Sequence, residues 1–144
     1  MTLRSALLHP LAKPLVFVLC LLPLAWLVWG AATDQLGANP AEALIRGLGD
    51  WTLRFLCLAL AVTPLRLHTR TPQLARYRRM LGLFVFFYAC LHLLAYGWLD
   101  MALDMADIGR DILKRPFILV GFACWLLLLP LAATSFNRAV RWLG

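Results

Sequence analysis

The sequence predicts an all-α membrane protein: one domain over residues 1–144, built as a bundle of four transmembrane helices with both termini in the cytoplasm. The first indication is composition, because 62% of the residues are hydrophobic and 15% are charged, against about 25% charged in soluble globular chains. A soluble domain of this size could not bury so much apolar surface. The other two indications are four long apolar runs and the distribution of charge between them.

The charged residues alternate between the segments that connect the apolar runs. All seven acidic residues fall in two segments, roughly 34–50 and 100–111. The two ends of the chain and the segment 66–79 contain basic residues and no acid, namely Arg4, Lys13, Arg66, Arg70, Arg76, Arg78, Arg79, Arg138 and Arg141. Lys and Arg in short loops are retained in the cytoplasm, so the two acid-bearing segments are predicted to face outward. The net charge of +7 therefore indicates topology, and the basic-aromatic pattern of a nucleic-acid-binding protein is missing.

The first predicted span covers residues 15–32, after the helix-disfavouring Pro14 and with Pro23 near its middle. Arg4 and Lys13 precede it, as basic residues also precede the apolar core of a cleaved signal peptide. That core is usually about 7–15 residues long, whereas this run has about 18 and contains bulky tryptophans near its end. We therefore expect the segment to be retained as a true span.

The second span is predicted at residues 51–65, after a short helix that begins at Asn39. Asn39 is a preferred N-cap, a proline follows it in the first helical turn, and Glu42 stands where a capping box places its acid. Gly47 and Gly49 are expected to break this short helix. Because about 15 residues are few for a hydrocarbon core of about 30 Å, the span is expected to include the turn before it.

The third and fourth spans are predicted at residues 80–99 and 116–133. The third is the clearest, since it has 20 residues without a formal charge between Arg79 and Asp100. The fourth follows a Lys-Arg pair and contains Pro130. These runs complete the four crossings.

Most kinds of enzyme chemistry lack support in this sequence. The four cysteines lie one in each predicted span, without the CxxC spacing of zinc or redox sites, and are expected to act as small apolar residues. They are Cys20, Cys57, Cys90 and Cys124. The chain also lacks the GxGxxG, P-loop, GxSxG and HExxH patterns. Hydrolytic and nucleotide-driven reactions are therefore not predicted.

His92 is the residue that stands apart, because it lies inside the third span. Along an α-helix it is about 18 Å from Met80 and about 10 Å from Leu99, which places it in the hydrocarbon nearer the outer face. An ionisable group at this depth is a functional candidate, and His is a common ligand of metals and of haem iron. The alternative is a neutral imidazole bonded to a carbonyl of a neighbouring helix, or to a hydroxyl such as that of Tyr88. The residues alone leave both open.

Three further side chains are weaker candidates. His9 and His68 lie in basic segments expected near the cytoplasmic surface, too far inward to share an iron with His92. Arg54 lies one turn inside the outer end of the second span, at a depth comparable to that of His92. It could extend to the interface or neutralise a haem propionate. The arginines of the segment 66–79 are expected to anchor anionic lipid, and could also dock a flavin phosphate or an acidic electron donor.

Seven short runs of sequence resemble the MsrQ family, also called YedZ, within the ferric-reductase-like transmembrane group. They occur in consistent order over nearly the whole chain: LLPLAWLVW (21–29), GANP (37–40), AVTPL (61–65), RRMLGL (78–83), LHL (91–93), LKRPF (113–117) and TSFN (134–137). The resemblance implies that His92, in the Leu-His-Leu motif, is an axial haem ligand.

The resemblance also implies a function, cofactors and partners. The chain would be an electron-transfer subunit of a bacterial inner-membrane system that repairs oxidised periplasmic proteins, and not a catalytic subunit by itself. It would bind haem b and FMN. Electrons would come from the quinone pool or a cytoplasmic flavin reductase, and pass to a periplasmic MsrP-like molybdenum subunit that reduces methionine sulfoxide.

One departure from the family pattern bears on the ligand set. Family members are expected to continue beyond the position of Gly144 through two more spans that carry further haem histidines. The chain is therefore expected to be a truncated product, a partner of a separately encoded remainder, or an oligomer that shares ligands. A non-catalytic membrane scaffold, in which His92 makes only a structural hydrogen bond, is the alternative. A small transporter is disfavoured, because the spans lack paired carboxylates and unwound Gly-Pro segments.

Overall fold

The computed structural model of the protein describes residues 9–135, and its regular structure over that range is helical. Its α-helices are α1 (Ala12–Ala32), α2 (Pro40–Thr69), α3 (Ala75–Ala95), α4 (Met105–Lys114) and α5 (Pro116–Thr134). A short 3₁₀ turn, Pro72–Leu74, precedes α3, and a π-helical turn, Tyr96–Asp100, follows it. Arg4, Arg138 and Arg141 of the predicted charge pattern, and the last two residues of the TSFN run, lie outside the described residues.

Four of these helical segments are long and apolar enough to cross a membrane: α1, α2, α3 with its flanking turns, and α5. They coincide with the four predicted spans, so the prediction of an all-α, four-span protein is confirmed. Many of their large apolar side chains are exposed, such as Trp26 at 70% and Leu127 at 68%. Lipid chains satisfy such a surface, while each helix satisfies its own backbone hydrogen bonds.

The helix α2 corrects one prediction. The glycines expected to break a short helix before residues 51–65 lie inside a single 30-residue helix. A methyl group on Gly47 would come within 2.6 Å of the Leu27 side chain, and one on Gly49 within 3.1 Å of the His92 ring. Both glycines are therefore points of close helix approach, as is common in membrane helices. The helix is about 45 Å long and exceeds a hydrocarbon core of about 30 Å.

The start of α2 follows the predicted chemistry. The Asn39 side chain accepts a hydrogen bond from the Glu42 amide at 3.3 Å, and its own amide donates to the Glu42 carboxylate at 3.2 Å. The predicted N-cap is confirmed, and Glu42 bonds back to the side-chain amide of Asn39, where a capping box uses the backbone N–H. At the other end the helix passes through Pro64 and reaches Thr69. The predicted inner boundary near residue 65 is therefore one turn short.

The helices alternate in direction, so the bundle has two chemically different ends. One end carries Asp34, Glu42 and Asp100 and is called the acidic end below; the other carries Arg66 and Arg70 and is called the arginine end. The core lies mainly between α2 and α3, and α1 packs against both. Its buried side chains are Cys20, Leu27, Leu48, Phe55, Phe84, Val85, Tyr88 and Ala95.

The helix α4 was not predicted, because its residues read as part of an acidic loop. Asp104 caps it by accepting hydrogen bonds from the amides of Ala106 and Asp107 at 2.9 and 3.2 Å. The Tyr96 hydroxyl donates to Asp111 at 2.6 Å and so ties α4 to the end of α3. At the acidic end, a short helix is therefore held against the end of a membrane span.

Candidate functional site

The site is centred on His92, in the last turn of α3 towards the acidic end. The imidazole is half-buried and lies against α2. Its Nδ1 is 2.8 Å from the backbone carbonyl oxygen of Ile45. The ring therefore lies at the level of Ile45 and Gly49, near the acidic end of the spans, as the sequence predicted for its depth.

Gly49 explains why this carbonyl is within reach. In an α-helix a side chain leans towards the N-terminus and covers the turn before it. Position 49 is four residues after Ile45, so a side chain there would lie over the Ile45 carbonyl. An added Cβ would be 3.1 Å from His92 Cε1 and 3.2 Å from Nδ1. The absent side chain thus leaves the space that the imidazole occupies.

The hydrogen bond assigns the tautomer of His92. A backbone carbonyl can only accept, so Nδ1 must carry the proton and donate to Ile45. In a neutral imidazole the other nitrogen, Nε2, then keeps a free lone pair. No hydrogen bond joins Nε2 to any other described residue. The ring is held by one nitrogen and can offer the other to a metal.

The tyrosines one turn before and one turn after His92 bond elsewhere. The fully buried Tyr88 hydroxyl donates to the Cys20 carbonyl and accepts from the Leu24 amide, both in α1. The predicted hydrogen bond between His92 and the Tyr88 hydroxyl is therefore wrong. The predicted bond from His92 to a carbonyl of a neighbouring helix is the one that the structure shows. Tyr96 bonds to Asp111. Both tyrosines fix the helices around the imidazole.

Arg54 is not brought to His92. Its guanidinium lies 4.6 Å from the centre of the Trp51 ring, in cation–π contact, and the side chain is exposed. Along α2 it lies about 8 Å from Gly49 towards the arginine end, and it points to a different side of the helix. Its predicted pairing with a haem propionate gains no support from this geometry and stays a prediction.

The other two histidines lie at the arginine end. His9 precedes α1 and accepts a hydrogen bond from the Leu11 amide at 3.3 Å. His68 is exposed in the last turn of α2, about 28 Å along the helix from Gly49. Neither can meet His92 within one chain. Over residues 9–135 no group of three or more His, Cys, Asp or Glu side chains forms a metal site, so one imidazole is the available ligand.

A groove of about 920 Å³ runs between α1 and α2. Apolar and aromatic side chains line it, including Pro23, Trp26, Trp51 and Phe55, together with Cys20. Among the described residues, neither His92 nor a charged side chain lines it. The groove and the imidazole are therefore separate features of the bundle.

Sequence reasoning found His92 but missed the residues that hold it. Neither the Ile45 carbonyl nor Gly49 was predicted to take part. The available signal was the pair of glycines in a segment next to the membrane, because small residues in membrane helices often mark close contact with another helix. They were instead interpreted as helix breakers.

Comparison with known proteins gives one family. Residues 47–143 match the family described as ferric reductase like transmembrane component. A protein-methionine-sulfoxide reductase heme-binding subunit MsrQ of Polaromonas naphthalenivorans is 70% identical over 96% of this chain and 63% of its own length. The subunits of that name from Herminiimonas arsenicoxydans and Caulobacter vibrioides are 52% and 48% identical, over 93% and 97% of this chain. No solved structure matches the chain.

The matches cover nearly all of this chain but only part of each relative. The chain is covered almost completely, whereas it spans 63% and 62% of the length of the Polaromonas and Herminiimonas proteins. The family match includes His92, Gly49 and the helices α3 to α5. His92 and Gly49 therefore lie within the matched region, and Ile45 lies two residues before its start.

Proposed function

The chain belongs to the ferric reductase like transmembrane family, and from this membership we propose that it is a haem-binding electron-transfer subunit. The curated relatives are named heme-binding subunits of a protein-methionine-sulfoxide reductase. By the same proposal, the chain supplies electrons for the reduction of methionine sulfoxide in oxidised proteins. The whole of residues 1–144 would act as one transmembrane domain.

The observation that carries this proposal is the arrangement of His92. The Ile45 carbonyl holds Nδ1 at 2.8 Å, so the free Nε2 is the proposed axial ligand of haem iron. Neutral imidazole with one nitrogen bonded to a carbonyl is the common form of a metal-ligating histidine. The residues present therefore fit a b-type haem held through one histidine of this chain.

The cofactor and the protein have different tasks in this proposal. Haem iron, when bound, supplies one-electron redox chemistry. The chain holds the ligand in a fixed orientation, places it near the acidic end, and surrounds it with apolar helices that lower the local dielectric constant. Ligand hydrogen bonding and burial are the means by which a protein sets a haem potential.

The charge distribution supports electron transfer from the cytoplasmic side to the periplasmic side. All seven acids lie in the segments near the acidic end and the inner loop is arginine-rich, which supports a cytoplasmic arginine end and cytoplasmic termini. His92 would then lie near the periplasmic face, where a molybdenum catalytic subunit of the MsrP kind would accept electrons. The quinone pool or a cytoplasmic flavin reductase would be the donor. The donors and FMN are proposed from the sequence resemblance alone, and the arginines of the segment 66–79 are the candidate partners of the flavin phosphate.

A second candidate function is favoured by one specific observation. The hydrogen bond from His92 to the Ile45 carbonyl is the interaction expected of a histidine that only joins two helices. On that view the chain is a membrane scaffold or assembly subunit without a cofactor. The two functions differ in what Nε2 does, because the scaffold leaves it without a ligand.

An optical spectrum of the purified chain separates the two. The chain should be expressed in a haem-sufficient bacterial host and its haem quantified as the pyridine haemochrome. Electron transfer predicts a Soret band that shifts on reduction with dithionite, with b-type haem bound. A chain that is folded and helical by circular dichroism but has no Soret band, even after addition of hemin, would support the scaffold.

A further inference from the structure

We propose that Gly49 is a positioning residue that selects the tautomer of His92 by leaving the Ile45 carbonyl open to Nδ1. The consequence for iron rests on the proposed function, whereas the choice of tautomer does not. The structure thus assigns a role to a position on α2 that contains no side chain and contacts the proposed ligand.

Gly49 gives the imidazole of His92 access to the Ile45 carbonyl. The carbonyls of a helix in lipid are occupied by their own backbone partners and shielded by the side chain four residues later. At Ile45 that later residue is a glycine, so the imidazole edge can reach the carbonyl and share it at 2.8 Å. His92 Nδ1 thereby gains an acceptor in a helix that is long and apolar enough to cross a membrane.

Position 49 has too little space for a side chain while the His92 ring stays in place. An alanine Cβ at position 49 would be 3.1 Å from Cε1 and 3.2 Å from Nδ1 of His92, and 3.8 Å from Nε2. The first two distances are shorter than ordinary van der Waals contact, so the ring would have to move away from α2. The two ring atoms with short contacts are Nδ1, which makes the hydrogen bond, and its neighbour Cε1. Even a methyl group should therefore lengthen the bond to Ile45.

The hydrogen bond to Ile45 determines which nitrogen of His92 carries the proton. A neutral imidazole has one N–H, and the acceptor next to one nitrogen decides which nitrogen carries it. With the Ile45 bond in place, the proton stays on Nδ1 and the lone pair on Nε2. Without it, Nε2 can be protonated and is then unable to bind a metal. The same bond increases the electron donation of a bound ligand.

The haem-free chain tests the choice of tautomer directly. The imidazole ¹⁵N chemical shifts of His92, in ¹⁵N-histidine-labelled protein in micelles, distinguish a protonated Nδ1 from a protonated Nε2. The wild type should show a single Nδ1–H tautomer. Gly49→Ala should show a mixture or the Nε2–H form. A wild type with Nε2–H, or a Gly49→Ala chain with an unchanged Nδ1–H signal, would overturn the proposal.

Two glycine variants are matched controls. Gly82→Ala adds a methyl group to α3, the helix of His92, where no atom of another helix among residues 9–135 lies within 4 Å of the added carbon, and should leave the shifts unchanged. Gly47→Ala adds one in α2 that would lie 2.6 Å from the Leu27 side chain. It should disturb the packing of α1 without changing the His92 tautomer. A tautomer change in Gly47→Ala equal to that in Gly49→Ala would assign the effect to general packing and contradict the proposal.

The haem-bound chain tests the consequence for iron. Gly49→Ala should bind hemin about 10–100-fold more weakly, as is typical when the partner of a ligand is lost. Its remaining haem should have a higher midpoint potential, because a less electron-donating imidazole stabilises the ferric state less. If no variant binds haem, the proposed function fails while the tautomer result stands. If haem binds and neither affinity nor potential changes in Gly49→Ala, the positioning role fails.

Discussion

The hydroxyl of Tyr88 bridges two backbone groups of helix α1 on either side of Pro23. It donates to the Cys20 carbonyl at 2.8 Å and accepts from the Leu24 amide at 3.0 Å. Cys20 and Leu24 are four residues apart, so an uninterrupted helix would join them directly. A proline inside a helix distorts this turn, and an inserted polar side chain can satisfy the separated groups. Tyr88 thereby fastens α1 to the helix that carries His92.

We expect Tyr88→Phe to lower the free energy of unfolding by about 1–3 kcal/mol, because it removes the hydroxyl that bonds to two backbone groups in an apolar environment. Denaturation with sodium dodecyl sulfate in mixed micelles, followed by circular dichroism, measures this loss. Pro23→Ala supplies the matched background, since it lets the Leu24 amide bond directly to the Cys20 carbonyl. Tyr88→Phe should cost less in that background, and an equal cost in both would show that the hydroxyl does not replace the backbone bond.

The sequence predicted well those features that depend on neighbouring residues. The four spans follow from the length of apolar runs, which a bilayer selects directly. The Asn39 cap follows from side chains within one helical turn of each other. Both were therefore available without knowledge of the packing.

The sequence did not predict features that depend on residues far apart in the chain. Whether Gly47 and Gly49 break a helix or pack against one depends on Leu27 and His92, which lie on other helices. The depth of His92 indicated that it needed a partner, but not that the partner would be the Ile45 carbonyl. These properties are decided when helices pack, and their local sequence signal is weak.

The bond between Tyr96 and Asp111 should hold helix α4 in place at the acidic end. Asp111 is 14% exposed and also pairs with Arg115 at 2.9 Å. Tyr96→Phe removes a hydrogen bond to a charged group, worth about 1.5–3 kcal/mol, and should speed amide hydrogen exchange throughout α4. Asp107→Asn is the control, because its 3.3 Å pair with Arg110 is largely exposed and such pairs contribute little. Equally faster amide exchange in both variants would contradict the role proposed for the Tyr96–Asp111 hydrogen bond.

The charge distribution predicts the topology of the membrane spans. A reporter inserted near Asp104 should be periplasmic, and one inserted near Gln73, between α2 and α3, should be cytoplasmic. Paired alkaline phosphatase and green fluorescent protein fusions at both positions give opposite signals for the two compartments. A cytoplasmic signal at Asp104 would show that the acidic end faces inward, and would reverse the proposed direction of electron transfer.

The placement of the histidines predicts how iron would be ligated. His92 is near the acidic end, and His9 and His68 are at the arginine end, so a single chain offers one imidazole. Electron paramagnetic resonance should show high-spin ferric haem at one haem per chain, and the reduced form should bind carbon monoxide. A low-spin signal at half a haem per chain would indicate that two chains share one iron. A low-spin bis-histidine signal at one haem per monomer would contradict the placement.

The most direct test of the account is the haem content of three purified chains: wild type, His92→Ala and His68→Ala. We expect His92→Ala to insert into the membrane normally but to lose most or all of its haem, because Nε2 of His92 is the proposed ligand. His68→Ala should keep the wild-type haem content, since that side chain is exposed at the opposite end. Equal haem per chain in wild type and His92→Ala, by pyridine haemochrome, would contradict the central claim.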